Sequence, residues 1–118
     1  MSKWHNIGSL ANFEEGCQWQ VQVGERPVAL FKYDGNYYAI KNSCLHQGWP
    51  LAEGNVKNYM VECPLHGWVY DFRDGKCLST PGRFTKAFEV RLKGENLEIN
   101  MEKFHLPIPI KVYLELKL

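Results

Sequence analysis

Short stretches of alternating apolar and polar residues, separated by glycine-bearing turns, recur along this chain. Trp19, Val21 and Val23 alternate with Gln18, Gln20 and Gln22, the two-residue period of a strand with one face buried. Val28 to Tyr33 and Tyr37 to Ile40 read as two more strands joined by Asp34-Gly35-Asn36, a strong hairpin composition. Tyr59 to Cys63 and Val69 to Phe72 are further candidates. Ala87 to Leu92 and Leu97 to Asn100 flank Lys93-Gly94-Glu95, again a tight-turn composition. Leu10 to Phe13 offers one helical turn at most, and no longer stretch keeps a helical period. Near the end, Ile110, Val112, Leu114, Leu116 and Leu118 alternate with Lys111, Tyr113, Glu115 and Lys117 behind Pro107 and Pro109, which oppose a helix. This predicts an extra strand over about 107–118. Completion of the chain's own sheet is favoured over addition to a neighbouring chain, so a monomer is expected rather than a dimer. Many short strands with glycine turns predict an all-β fold, an antiparallel sandwich or barrel.

Composition narrows the class. A chain of 118 residues fits one domain, 1–118, large enough for a hydrophobic core. Fourteen basic against thirteen acidic residues leave a net charge of +1, which shows neither a nucleic-acid footprint nor a polybasic membrane patch. Met1 to Asn6 lacks the apolar stretch of a secretory signal. Apolar runs such as Val28-Ala29-Leu30-Phe31 fall far short of the ~20 residues that span a bilayer. The expected compartment is the cytoplasm. Cys17, Cys44, Cys63 and Cys77 are too few and too scattered for a disulfide framework. In a reducing compartment, cysteines beside histidines read as metal ligands.

Two segments hold such pairs: Cys44-Leu45-His46 and Cys63-Pro64-Leu65-His66, with sixteen residues between His46 and Cys63. Each brings one thiolate and one imidazole from a short loop, and each is followed by glycine, Gly48 or Gly67. Glycine frees the backbone to turn amide N–H groups toward a bound anion. Chance scatter of a buried thiol and a surface imidazole is one alternative, but two such pairs with trailing glycines argue against it. Structural zinc is another. Zinc sites usually pair Cys-x2–4-Cys with His-x3–5-His, whereas each loop here carries one of each type. His5 and His105 lie outside any motif. The sequence has no paired-carboxylate motif, nucleophile elbow or P-loop.

Cys44-x-His46 with Cys63-x-x-His66 resembles the Rieske signature. The likeness continues through Gly48-Trp49-Pro50-Leu51, Glu53-Gly54, Gly67-Trp68-Val69-Tyr70-Asp71-Phe72 and Asp74-Gly75-Lys76-Cys77, roughly from Trp4 to Ile99. The resemblance implies a [2Fe–2S] cluster with Cys44 and Cys63 on an inner iron and His46 and His66 on an outer one. It also implies a basal antiparallel β-sandwich or barrel with a small cluster-binding subdomain inserted over about 41–82. Respiratory and photosynthetic relatives carry an extra cysteine in each loop, forming a disulfide. Trp49 and Leu65 stand at those places, so the chain looks like the ferredoxins that serve oxygenases. Cys17 and Cys77 are then expected as packing thiols, and Ser79-Thr80-Pro81-Gly82 as either a third loop over the cluster or an ordinary turn. Trp49 and Trp68 are candidates for shielding or docking, with core packing expected for at least one. His46, His66 and the residues beside them, Gln47, Trp49, Leu65, Trp68 and Pro81, are expected to form an apolar tip around the exposed iron edge.

The implied function is that of a carrier, not an enzyme. Ring-hydroxylating oxygenases hold a second, mononuclear iron on two His and a carboxylate, and His5 and His105 give no such pattern. The expected partners are a flavin-dependent reductase and a terminal oxygenase, with no nucleic acid and no membrane. A small subunit of an assimilatory nitrite reductase is the alternative, weakened because many of those subunits lack the ligands kept here. High-potential relatives place a serine after the second-loop glycine, where this chain has Trp68. Tyr70 matches their sulfur-bonding tyrosine. The expectation is a low potential for a Rieske centre.

Overall fold

The computed structural model describes residues 3–45, 47–65 and 67–105, with 103–105 described by their backbone. In chain order the strands are β1 (Trp4–Ser9), β2 (Gln18–Val23), β3 (Arg26–Tyr33), β4 (Asn36–Lys41), β5 (Asn55–Lys57), β6 (Met60–Glu62), β7 (Val69–Asp71), β8 (Ala87–Lys93) and β9 (Asn96–His105). Short 3₁₀ turns occupy Leu10–Phe13 and Leu51–Glu53. A six-stranded sheet has the order β1-β9-β8-β4-β3-β2, and a three-stranded sheet the order β5-β6-β7. Every pairing is antiparallel. The larger sheet curls until β1 meets β2.

The expected all-β fold is present, and the turn chemistry sets its hairpins. Tyr33 pairs with Asn36, leaving Asp34 and Gly35 as a two-residue turn with φ of 52° and 81°. Positive φ at both positions is the geometry that matches the twist of a tight hairpin. Three features differ from the pattern-based expectation. β1 was hidden because its exposed His5 and Asn6 and an irregularity between Asn6 and Gly8 break the alternation. β5 is only three residues long. β9 continues beyond Asn100 to His105. The strand expected over 107–118 lies outside the described residues.

Alternation along β3 feeds two separate cores. Val28 and Leu30 join Phe13, Val23, Ala39, Phe88, Leu97, Ile99 and Met101 inside the curl of the larger sheet. Ala29 and Phe31 point the other way and join Ile40, Leu51, Val61, Tyr70, Phe72 and the thiols Cys44, Cys63 and Cys77. A strand covered on both faces reads as an unbroken apolar run, which explains Val28-Ala29-Leu30-Phe31. Phe31 stacks on Phe72 with ring centroids 4.6 Å apart and planes within 6°. This second core fixes the three-stranded sheet and the loops around it against β3 and β4.

One buried polar group stands out in that region. Thr85 is 3% exposed, and its Oγ1 has no hydrogen-bond partner among the described residues. Leaving a buried hydroxyl unsatisfied costs about 1–3 kcal/mol. Thr85→Val keeps the shape and removes the group. It is expected to raise the melting midpoint by a few degrees, roughly 1 kcal/mol for a domain of this size. A lowered midpoint in thermal denaturation would show that the hydroxyl contributes a bond.

Candidate metal centre

The two cysteine loops are copies of one backbone design. In the first, which follows β4, Cys44 N–H donates to the Trp49 carbonyl at 2.8 Å and Gly48 N–H donates back to the Cys44 carbonyl at 2.7 Å. In the second, between β6 and β7, Cys63 N–H donates to the Trp68 carbonyl at 2.8 Å and Gly67 N–H to the Cys63 carbonyl at 2.9 Å. Gly48 and Gly67 have φ of 72° and 74°, a region in which L side chains are strained. The shared sequence is Cys-x-x-x-Gly-Trp, a six-residue repeat that the Cys/His spacing obscures because His46 is the third residue of its loop and His66 the fourth. Both histidines lie outside the described residues.

The structure brings Cys44 and Cys63 into the same core, 3% and 1% exposed, with free thiols. Tyr70 reaches Cys44 from β7. Its hydroxyl oxygen accepts the Leu45 N–H at 2.8 Å and lies 3.3 Å from Cys44 Sγ. With the oxygen already accepting, the phenol hydrogen is free to point at sulfur. Burial raises the Tyr70 pKa well above that of an ordinary phenol, and the bond to Cys44 adds to the rise. Tyr70 is therefore a neutral donor throughout the physiological range.

Around the pair, other expected residues separate by environment. Cys77 is a buried packing thiol, as expected. Cys17 is not: it is exposed, 3.6 Å from Gln18 Oε1, because it precedes β2 outside either core. Trp68 packs against the second core, whereas Trp49 is 39% exposed, as is Leu65. Pro81 lies exposed in a turn closed by Arg83 N–H to the Thr80 carbonyl at 3.2 Å. The neighbouring Ser79 Oγ accepts Val69 N–H at 2.9 Å, tying this turn to the residue just after loop two. Pattern reading placed Ser79 in a candidate third loop without its bond to Val69, and it missed Gln18 and Asn42, which bind the far end of loop one. The sequence signal of these two is a polar residue at a position the strand period assigns to solvent or to a strand end.

Among the described residues no helix is long and apolar enough to cross a membrane. A family model for the Rieske [2Fe-2S] domain matches residues 3–99. The chain is 30% identical over 105 residues to the anthranilate 1,2-dioxygenase ferredoxin subunit of Burkholderia cepacia, covering 86% of this chain and 94% of the relative. It is 30% identical over 100 residues to the ferredoxin component of the naphthalene 1,2-dioxygenase/salicylate 5-hydroxylase systems of Ralstonia sp, covering 84% and 96%. The solved ferredoxin of carbazole 1,9a-dioxygenase from Nocardioides aromaticivorans IC177 superimposes with a TM-score of 0.75 at 25% identity, over 83% of this chain and 97% of that one. A family match across most of the length, joined to two free thiols on matched loops, places this chain in the Rieske [2Fe–2S] domain family.

Proposed function

We propose that the chain carries single electrons from a flavin-dependent reductase to a terminal oxygenase, with Cys44, His46, Cys63 and His66 as its iron ligands. The observation that supports this best is the pair of buried free thiols on duplicate loops, with a phenol hydrogen available to one sulfur. That donor set fits the family's [2Fe–2S] group. Anionic sulfur is stabilised by a neutral donor, and free thiols in every described cysteine suit the reducing cytoplasm. When bound, the cluster supplies one-electron redox chemistry, at a higher potential with two imidazole ligands than with four thiolates. The chain's own residues do the rest. The second core excludes water from Cys44 and Cys63, Tyr70 orients its proton toward Cys44 Sγ, and Gly48 and Gly67 let both loops close.

Purified protein tests the reading directly. About two irons and two labile sulfides per chain, visible absorption and an EPR signal on reduction are expected. Zinc with no visible absorption would overturn it. The match spans nearly the whole length of the ferredoxin relatives, which supports the carrier role.

Docking belongs at the exposed apolar residues beside the loops. Weak redox encounters use small interfaces, and central apolar anchors carry much of their energy. Trp49 and Leu65 are each 39% exposed. Trp49→Glu and Leu65→Glu are expected to slow electron transfer to the oxygenase about tenfold while leaving the visible spectrum unchanged. Stopped-flow rates equal to those of the parent protein would place docking elsewhere.

A further inference from the structure

Loop one leaves β4 at Lys41 and does not rejoin a sheet until β5 begins at Asn55. Something must hold this stretch, since it carries two of the four proposed ligands. Its far end is the 3₁₀ turn Leu51–Glu53, and both sides of Ala52 are tied. Ala52 N–H donates to Asn42 Oδ1 at 2.8 Å. The Ala52 carbonyl accepts Gln18 Nε2 at 2.5 Å, and the same nitrogen donates to the Gly54 carbonyl at 2.8 Å. Both hydrogens of one side-chain amide are thus spent on loop one, from 34 and 36 residues away.

The tie reaches loop two as well. A Cβ on Gly54 would lie 2.4 Å from the Glu62 carbonyl oxygen and 2.6 Å from Val61 Cγ2. Gly54 therefore packs directly on β6, whose next residue is Cys63. Gln18 sits opposite Phe31 in the β2–β3 register, and residues opposite one another point to the same face of a sheet. It thus emerges on the face that Phe31 shares with Cys44 and Cys63, the face that the alternation along β2 would assign to solvent. Asn42, at the other end, is 4% exposed and has its own N–H on the Pro27 carbonyl at 3.2 Å. The backbone of β3 thus anchors this brace.

We infer that Gln18 is a positioning residue for the electron-transfer centre: with Asn42 it braces loop one from the basal sheet and, through Gly54, holds it in register with loop two. This rests on the ligand reading above. The brace acts through main-chain groups of Ala52 and Gly54, not through Cys44 or Cys63. Removing its donors should loosen the loop rather than delete a ligand. The cluster should still assemble in the variant but leave it faster.

The test uses the cluster-loaded protein and follows bleaching of the visible band in excess iron chelator. Gln18→Leu keeps the volume and removes both donors. Release is expected to be about tenfold faster, the scale of two lost hydrogen bonds, with a broadened EPR line from loop heterogeneity. Gln18→Glu provides a readout that packing alone would not move. As a carboxylate facing two carbonyls it cannot donate, so at about pH 8 it should release at least as fast as Gln18→Leu. Once protonated it regains one donor, so its rate relative to the parent should fall toward one as the pH drops to about 5. A Gln18→Leu rate within twofold of the parent, or a Gln18→Glu ratio that stays flat with pH, would overturn the brace. A parent protein without the visible band would instead overturn the ligand reading.

Discussion

Cys44→Ser or Cys63→Ser is expected to yield a folded chain that holds little or no iron. A serine hydroxyl is a far poorer donor to iron than a thiolate, and the two buried sulfurs are the anionic members of the proposed ligand set. Each also lies in the second core, at 3% and 1% exposure. Serine there leaves a hydroxyl without the thiol's tolerance for apolar surroundings, so a loss of about 1–3 kcal/mol of stability is expected as well. His46→Ala and His66→Ala should differ. They open an iron to water without burying a new polar group, so stability should change less than spectrum. Iron content, visible absorption, EPR and thermal denaturation on the four variants separate these effects. An unchanged spectrum in His46→Ala would remove that residue from the ligand set.

Cys77→Ser supplies the control. It lies in the same core, completely buried, but pairs as a backbone bridge with Tyr70 and has no histidine beside it. It should lose stability to the same extent and keep its iron. Iron loss in this variant equal to that of Cys44→Ser would mean that core disruption, not ligation, explains both.

Local pattern made most of the strands and the two cysteine loops legible, because each rests on residues close in sequence. The hairpin at Asp34-Gly35 needs only two adjacent residues that accept positive φ. The Cys/His pairs need only one loop each. What stayed hidden depends on partners far along the chain. β3 reads as buried, but nothing in Val28-Ala29-Leu30-Phe31 says that its two faces serve two different cores. Cys17 and Cys77 look alike as cysteines outside a motif. One is exposed and one buried because only Cys77 crosses over Tyr70. Gln18 looks like its neighbours Gln20 and Gln22, both exposed. It differs because residues 52 and 54 return to meet it, and that return is a property of the whole fold.

Tyr70→Phe is expected to lower the reduction potential by roughly 40–60 mV. A hydrogen bond to sulfur favours the more negative, reduced state, so losing a donor makes reduction harder. One neutral bond contributes about 1–1.5 kcal/mol, and ~59 mV is a factor of ten for a one-electron couple. The geometry that carries this is the hydroxyl 3.3 Å from Cys44 Sγ with its oxygen occupied by the Leu45 N–H. The pH dependence follows from the raised pKa of this phenol. The group stays protonated well past the point where an ordinary tyrosine ionises, near pH 10. Its contribution is therefore present at low and neutral pH and is retained on moderate alkalinisation. The gap between parent and Tyr70→Phe should stay constant from about pH 6 to about pH 9, even if both potentials drift together. Trp68 bears on the absolute value. It fills the place of the serine in high-potential relatives and packs its ring on the second core, so it supplies bulk where they supply a hydroxyl. The parent potential is then expected in the lower part of the span from about −150 to +300 mV, and Trp68→Ser should raise it. Protein-film voltammetry reads all three proteins. A Tyr70→Phe potential equal to that of the parent would mean that the phenol hydrogen is not on sulfur. A Trp68→Ser potential equal to that of the parent would assign the low value to solvent exposure or backbone amides instead.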